Sequence, residues 1–354
     1  NTGIGVNALQ SNTVGIWNTS VGDSSLLANT TGSYNTSVGT LALRNSTASN
    51  NTAVGNQALY NNTTGTPNDA FGFQALYSNT TGANNVAVGY QSLYTNTTGT
   101  YNVAIGRQAL GLNSTGGSNV GIGGFALYNN TASYNTALGM QALAANTSSA
   151  NNVAVGYQAG YNFAGTSGAT CNTFIGNAAG YYQTSGTNNT YIGSSTSTAA
   201  GYAMTTGSGN TIVGPFSGNQ NNLDIRTATN YVVLSDGGGN PSLIINNQGA
   251  LERSAGGTGF FSGDVTIPFG NVSSVAFNVA TYFPEVSGTP LSAGQLSLFL
   301  QIVYASGSGN AASTLYNGVR NSNNTWTFSS VNSATGGASI TCLLYTSDAA
   351  DDTP

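Results

Sequence analysis

The pentapeptide Asn-x-x-aliphatic-Gly recurs thirteen times in this chain, and its spacing dictates the architecture. The copies read NTGIG, NTSVG, NTSVG, NTAVG, NDAFG, NVAVG, NVAIG, NVGIG, NTALG, NVAVG, NTFIG, NTYIG and NTIVG. Their glycines, from Gly5 to Gly214, fall 17 residues apart, with two steps of 16 and late steps of 20 and 21. A typical unit, NVAVGYQSLYTNTTGTY from Asn85 to Tyr101, opens β-branched and alternating, which predicts a short strand. QSLY then suits one helical or 3₁₀ turn, and TNTTG closes the unit with turn formers. One strand and one return segment per repeat make the coil of a solenoid.

Stacked coils align two apolar ladders. One is the residue before each glycine, including Val54, Val88 and Ile105; the other runs from Leu9 to Leu143 and includes Leu59, Leu93 and Leu110. Both are expected to face inward as the structural core. The Asn that opens each pentapeptide is placed to bond its amide to the equivalent Asn one coil away. The Gly that closes it marks a corner where a positive φ or close backbone approach excludes a Cβ. A coil burying one Val or Ile, one Leu and one Ala has a thin core for the chain it must order. A further face is therefore expected to be covered by other copies, with Tyr60, Tyr77, Tyr94 and Tyr128 available to fill the seam of a homotrimer; the alternative reading of the tyrosine line is that its stacked aromatics hold sugar rings of a cell envelope.

The NxAVG and NxAIG units, followed by a QAL-type segment and an NTTG turn, resemble the head repeats of trimeric autotransporter adhesins and related repeats in phage tail fibres. The resemblance spans about residues 1–218. It implies a left-handed parallel β-roll, trimerised about a common axis and exposed on a cell or virion.

From Asn219 the period is lost. Tyr231 to Leu251, YVVLSDGGGNPSLIINNQGAL, reads as two strands joined by a Gly-rich turn. After the joint at Gly256–Gly259, alternating runs such as VTIPF, VAFNVATYF, LSLFLQIVYA and NTWTFSSV predict a small antiparallel sheet domain. The expected fold class is all-β. A parallel β-solenoid (β-roll) of 17-residue coils occupies 1–218, a hairpin neck and Gly-rich joint 219–263, and an antiparallel β-sandwich 264–341. The run CLLYTSDAADD, within 342–354, reads as translated sequencing adapter. Since the chain opens at Asn1 inside a repeat, it reads as a fragment of a longer protein.

Composition excludes most chemistry. Only 4% of residues are charged, with five arginines, ten acids, no Lys and no His. Ser-His-Asp and Ser-Lys arrangements are thereby unavailable, and Asp23 and Asp69 are the only acids before Asp224, so the solenoid carries no glycosidase-type carboxylate pair. We expect no enzyme, no cofactor and no metal. The segment SDGGGN, Ser235 to Asn240, lacks the carboxylates of a calcium loop and reads as a turn. No basic patch suits nucleic acid, and no run of about 20 apolar residues suits membrane insertion. The Asn-x-Ser/Thr sequons at Asn18 and Asn62 read first as turn chemistry.

The expected function is that of an extracellular attachment fibre, a phage tail fibre on a virion or alternatively a bacterial surface adhesin. Its expected partners are itself, as a homotrimer, and a cell-surface glycan or protein receptor. An ice-binding solenoid is a weaker reading, because the column Thr2, Thr19, Thr36, Thr52 breaks at Asp69, Val86, Val103 and Val120. Receptor contacts are expected in residues 264–341. Tyr316 and Arg320, in a Gly/Asn-rich stretch, lead Tyr304 and Tyr282 as candidates because aromatic and Arg side chains dominate recognition hot spots.

Overall fold

The computed structural model of the chain describes residues 1–165, 168–195 and 198–249, with strand residues 251–252, 297–305, 311–320 and 326–333. The chain divides into two compact units, Asn1–Gly263 and Asp264–Pro354.

The first unit is a parallel β-solenoid. Thirteen strands of three or four residues, from Thr2–Ile4 to Thr211–Val213, pair with the strands one coil before and after. The repeat fixes the register: Val86 lies beside Val103, Ala87 beside Ala104, and Val88 beside Ile105. The return segment departs from the expected helical turn, and no helix occurs among the described residues. Gln91 and Leu93 take φ of +53° and +49°, left-handed values that stop any right-handed turn from propagating. The segment makes reverse turns instead, with Ser92 N donating to Gly89 O at 3.4 Å and Asn96 N to Leu93 O at 3.2 Å. The left-handed residues aim their N–H groups along the stack. Gln91 N reaches Phe73 O at 2.9 Å and Leu93 N reaches Ala109 O at 3.0 Å, so the return segment forms a second intercoil ladder.

Strand alternation overturns half of the expected core. In Asn85–Val88, Asn85 and Ala87 are buried while Val86 and Val88 are only half-buried. Leu59, Leu93 and Leu110 are fully buried, but Val54 and Val88 are half-buried and Ile105 is 38% exposed. Side chains in a strand alternate between faces, so the residue two places after the buried Asn enters the core. The residue before Gly therefore points out.

Buried asparagines are stable only where their amide groups are bonded, and along the ladders nearly all of them are, Asn146 Oδ1 being the exception. Asn85 Nδ2 donates to Asn68 Oδ1 at 3.1 Å and to Gly99 O at 2.9 Å. Asn85 Oδ1 accepts from Asn102 N at 3.0 Å and Asn102 Nδ2 at 3.1 Å. A second buried ladder runs through the NTT turns, where Asn79 Nδ2 donates to Asn62 Oδ1 at 2.7 Å and Gly82 O at 2.9 Å. The sequon residues Asn18 and Asn62 are themselves buried members of these ladders. At the corner, Gly89 has φ +134°, and a Cβ there would lie 2.6 Å from Gly106 O. Only glycine lets the backbones stack so closely.

Some coils exchange side-chain sizes between strand and return segment. Early coils pair a small strand residue, such as Ala87 or Ala104, with a leucine on the return segment. Late coils place Phe174 and Tyr191 on the strand and glycines, Gly180 and Gly201, opposite them. Tyr191 Oη donates to Gln183 Oε1 at 3.1 Å, and burial pushes its phenol far above the ordinary value. Beyond the last coil, Val232–Ser235 continues the stack by pairing in parallel with Thr211–Val213. It then turns back on Pro241–Ile245, the expected hairpin. Asp236 holds that turn: Oδ1 accepts from Gly238 N and Asn240 N, and Oδ2 from Asn240 Nδ2, each at 2.9 Å.

In the second unit, Ser297–Ala305, Ala311–Arg320 and Trp326–Ser333 form one antiparallel sheet. The other runs expected to complete a sandwich, and the tail at 342–354, lie outside the described residues.

Candidate binding surfaces of the shaft

The outward half of each strand presents two columns. One holds Thr or Val, interrupted by Asp69; the other runs Val21, Val38, Val54, Phe71, Val88, Ile105, Ile122, Leu138, Val155, Ile175, Ile192 and Val213. Flanked by the Thr-rich first column, the second column stacks in register as an apolar stripe along the strand face. Its members stay substantially exposed in the single chain, Phe71 at 41% and Leu138 at 46%.

The return segment carries an aromatic column. Tyr60, Tyr77 and Tyr94 stack with ring centroids 5.2 and 5.3 Å apart, and Tyr161, Tyr181 and Tyr202 repeat those spacings. Arg44 continues the first stack, its Nη1 donating to Tyr60 Oη at 3.2 Å. Burial, and then the neighbouring phenols, raise the Tyr77 and Tyr181 hydroxyls above the ordinary tyrosine value. Between Tyr60 and Tyr202 two coils break the column, placing Gly111 and Ala144 where their neighbours hold tyrosine. No family model, curated protein or solved structure matches the chain. The surfaces of the shaft must therefore be read from their own chemistry.

The two breaks differ. Tyr128 leans over Gly111, so that a Cβ on that glycine would lie 2.9 Å from the Tyr128 ring. At Ala144 nothing fills the space, and a cleft of about 260 Å³ opens there between Tyr128 and Tyr161. The sequence reading took the tyrosines as one seam and missed this cleft. Aligning the coils on their glycines exposes it, as Tyr128-Asn129, Ala144-Ala145 and Tyr161-Asn162 fall on successive rungs.

Among the residues expected to meet a receptor, Tyr282 lies outside the described residues. Tyr304 falls in Ser297–Ala305, opposite Ala312, while Tyr316 and Arg320 fall in Ala311–Arg320, opposite Leu300 and Trp326 respectively. Tyr316 and Arg320 thus belong to a strand and not to a turn-rich loop. The density of Asn and Gly around them disguised a run that pairs along its whole length. The candidate calcium loop is closed by its own donors. Asp236 spends its carboxylate on the turn, and Asn240's donation holds that carboxyl below its ordinary value. No cluster of metal-ligating side chains occurs among the described residues.

Proposed function

We propose that this chain is the shaft-bearing part of an extracellular attachment fibre, assembled as a homotrimer through its outward strand stripe. The carrying observation is that stripe, in which the apolar residue before each glycine is turned away from the chain's own core. Burial of this surface between copies supplies what a thin Ala-plus-Leu core lacks. A shaft with 4% charge and internally bonded asparagine ladders suits a rigid spacer whose solubility comes from hydroxyls and amides.

Within this reading, a virion tail fibre comes first and a bacterial surface adhesin second, both by resemblance of the repeat. Residues 264–341 contact the receptor, a cell-surface glycan or protein, and the solenoid presents them. Deleting 264–341 tests the assignment: attachment of the purified oligomer to host cells is expected to be lost, and undiminished attachment would move the receptor site to the shaft.

A further inference from the structure

The tyrosine column is continuous enough that its one open gap becomes a site. Tyr161 stacks one face on Tyr181, with centroids 5.2 Å apart and planes 11° from parallel. Among the described residues no ring stacks on its other face, which borders the cleft left by Ala144 and Ala145. With the intact steps at 5.2–5.3 Å, one missing rung leaves about 10.5 Å between flanking rungs, room for one ring at ordinary stacking distance from each. Tyr128, tilted toward Gly111 and edge-on to Phe125 at 66°, forms the far wall and adds width.

The polar groups around the cleft fit the same ligand. Along the shaft Gln74, Gln91, Gln108 and Gln158 each donate to the glutamine one coil back, Gln91 Nε2 to Gln74 Oε1 at 2.8 Å and Gln158 Nε2 to Gln141 Oε1 at 2.8 Å. The residue one coil back from Gln141 is Phe125, so the Gln141 Nε2 donors have no acceptor among the described residues. Asn129 spends its Nδ2 on Ala144 O at 3.1 Å and keeps its Oδ1 as an acceptor, and Asn162 supplies a second amide on the Tyr161 side. Free amide donors and acceptors around an aromatic platform match the hydroxyls of a sugar. No charged side chain lines the cleft, which favours a neutral ring over an acidic one. At about 260 Å³ it falls below the roughly 300–1,000 Å³ of sites for larger ligands, which limits it to one residue.

We propose that the cleft at Ala144 binds one neutral pyranose residue of a glycan, stacked on the free face of Tyr161 and hydrogen-bonded by Gln141, Asn129 and Asn162. The site lies on the return segment, away from the strand stripe, so it stays outward when the stripe is covered. It needs neither residues 264–341 nor the attachment reading to hold.

The test is saturation-transfer NMR on the full chain with four probes, the methyl glycosides of glucose, galactose, mannose and N-acetylglucosamine. A single stacked ring predicts a Kd on the order of 1 mM for at least one of them. Ala144→Tyr refills the rung with the residue that most other coils carry there and is expected to abolish the signal while the circular dichroism stays unchanged. Tyr161→Ala is expected to weaken binding at least about tenfold, a step of 1.4 kcal/mol, and Tyr77→Ala, outside the cleft, to leave it intact. If Tyr161→Ala does not fold, Ala144→Tyr decides alone. No transfer to any of the four sugars, or transfer undiminished in Ala144→Tyr, would overturn the assignment.

Discussion

Gly180 faces Phe174 so closely that a Cβ built on the glycine would lie 2.5 Å from Phe174 Cδ1. The pair inverts the arrangement of earlier coils, where Ala87 on the strand faces a leucine on the return segment. Each arrangement sets one large side chain against a small partner across the coil.

That exchange can be measured. Gly180→Ala should cost about 1–3 kcal/mol by overpacking, and Phe174→Ala alone about 3–5 kcal/mol by opening a cavity. The double variant Phe174→Ala/Gly180→Leu restores the earlier pairing and should recover most of the loss in urea unfolding. A leucine is tolerated at the Gly180 φ of +64°, since Leu143 adopts +50° at the equivalent place. A double variant no more stable than Phe174→Ala would refute the exchange.

The asparagine ladder makes a second prediction. Asn85→Ala removes four hydrogen bonds and leaves Asn102 N buried without a partner, while Gly99 O keeps Asn96 Nδ2 and Asn68 Oδ1 keeps the backbone N–H of residue 85. That orphaned group costs about 1–3 kcal/mol and the lost bonds add to it, so the variant should lower the melting temperature more than Thr64→Ala on an exposed turn. Equal shifts would mean that the ladder is incidental.

Stability of the solenoid should be flat across neutral pH. Asp224 is held below its ordinary 3.8, first by the Arg226 donation at 2.9 Å and 2.7 Å, and Asp236 is held below it by Asn240. Groups lowered on folding contribute stability above about pH 4 and lose it as pH falls through their folded values. The contribution is small, because both carboxylates are exposed. Tyr77, Tyr181, Tyr202 and Tyr191 are all raised, first by burial, so their contribution is present below pH 10.0 and lost as pH climbs above it. With no His or Lys in the chain, the melting temperature should hold level between about pH 5 and 9 and fall on either side. A slope inside that window would point to an interaction absent from this account.

The repeat was legible because its period survives every substitution. Coil length, parallel register, the buried leucines and the first asparagine ladder all follow from aligning glycines. The facing of Val54, Val88 and Ile105 did not follow, because hydrophobicity alone suggests burial. What settles it is parity: Asn85 makes four bonds inside the coil, Ala87 shares its face, and Val88 is sent outward. The left-handed φ at Gln91 and Leu93 was equally hidden, since neither residue favours that region by itself. Intercoil hydrogen bonds impose it. The cleft at Ala144 is a missing side chain, visible only against the column around it.

The central claim is that the outward stripe joins copies of this chain. Light scattering of the purified full chain measures it directly. The wild type should have three times the mass of one chain, and Val88→Lys/Ile105→Lys, which puts two charges on adjacent outward rungs, should have the mass of one chain with the β signature retained. A wild type of single-chain mass, or a double-lysine variant that remains trimeric, would contradict it.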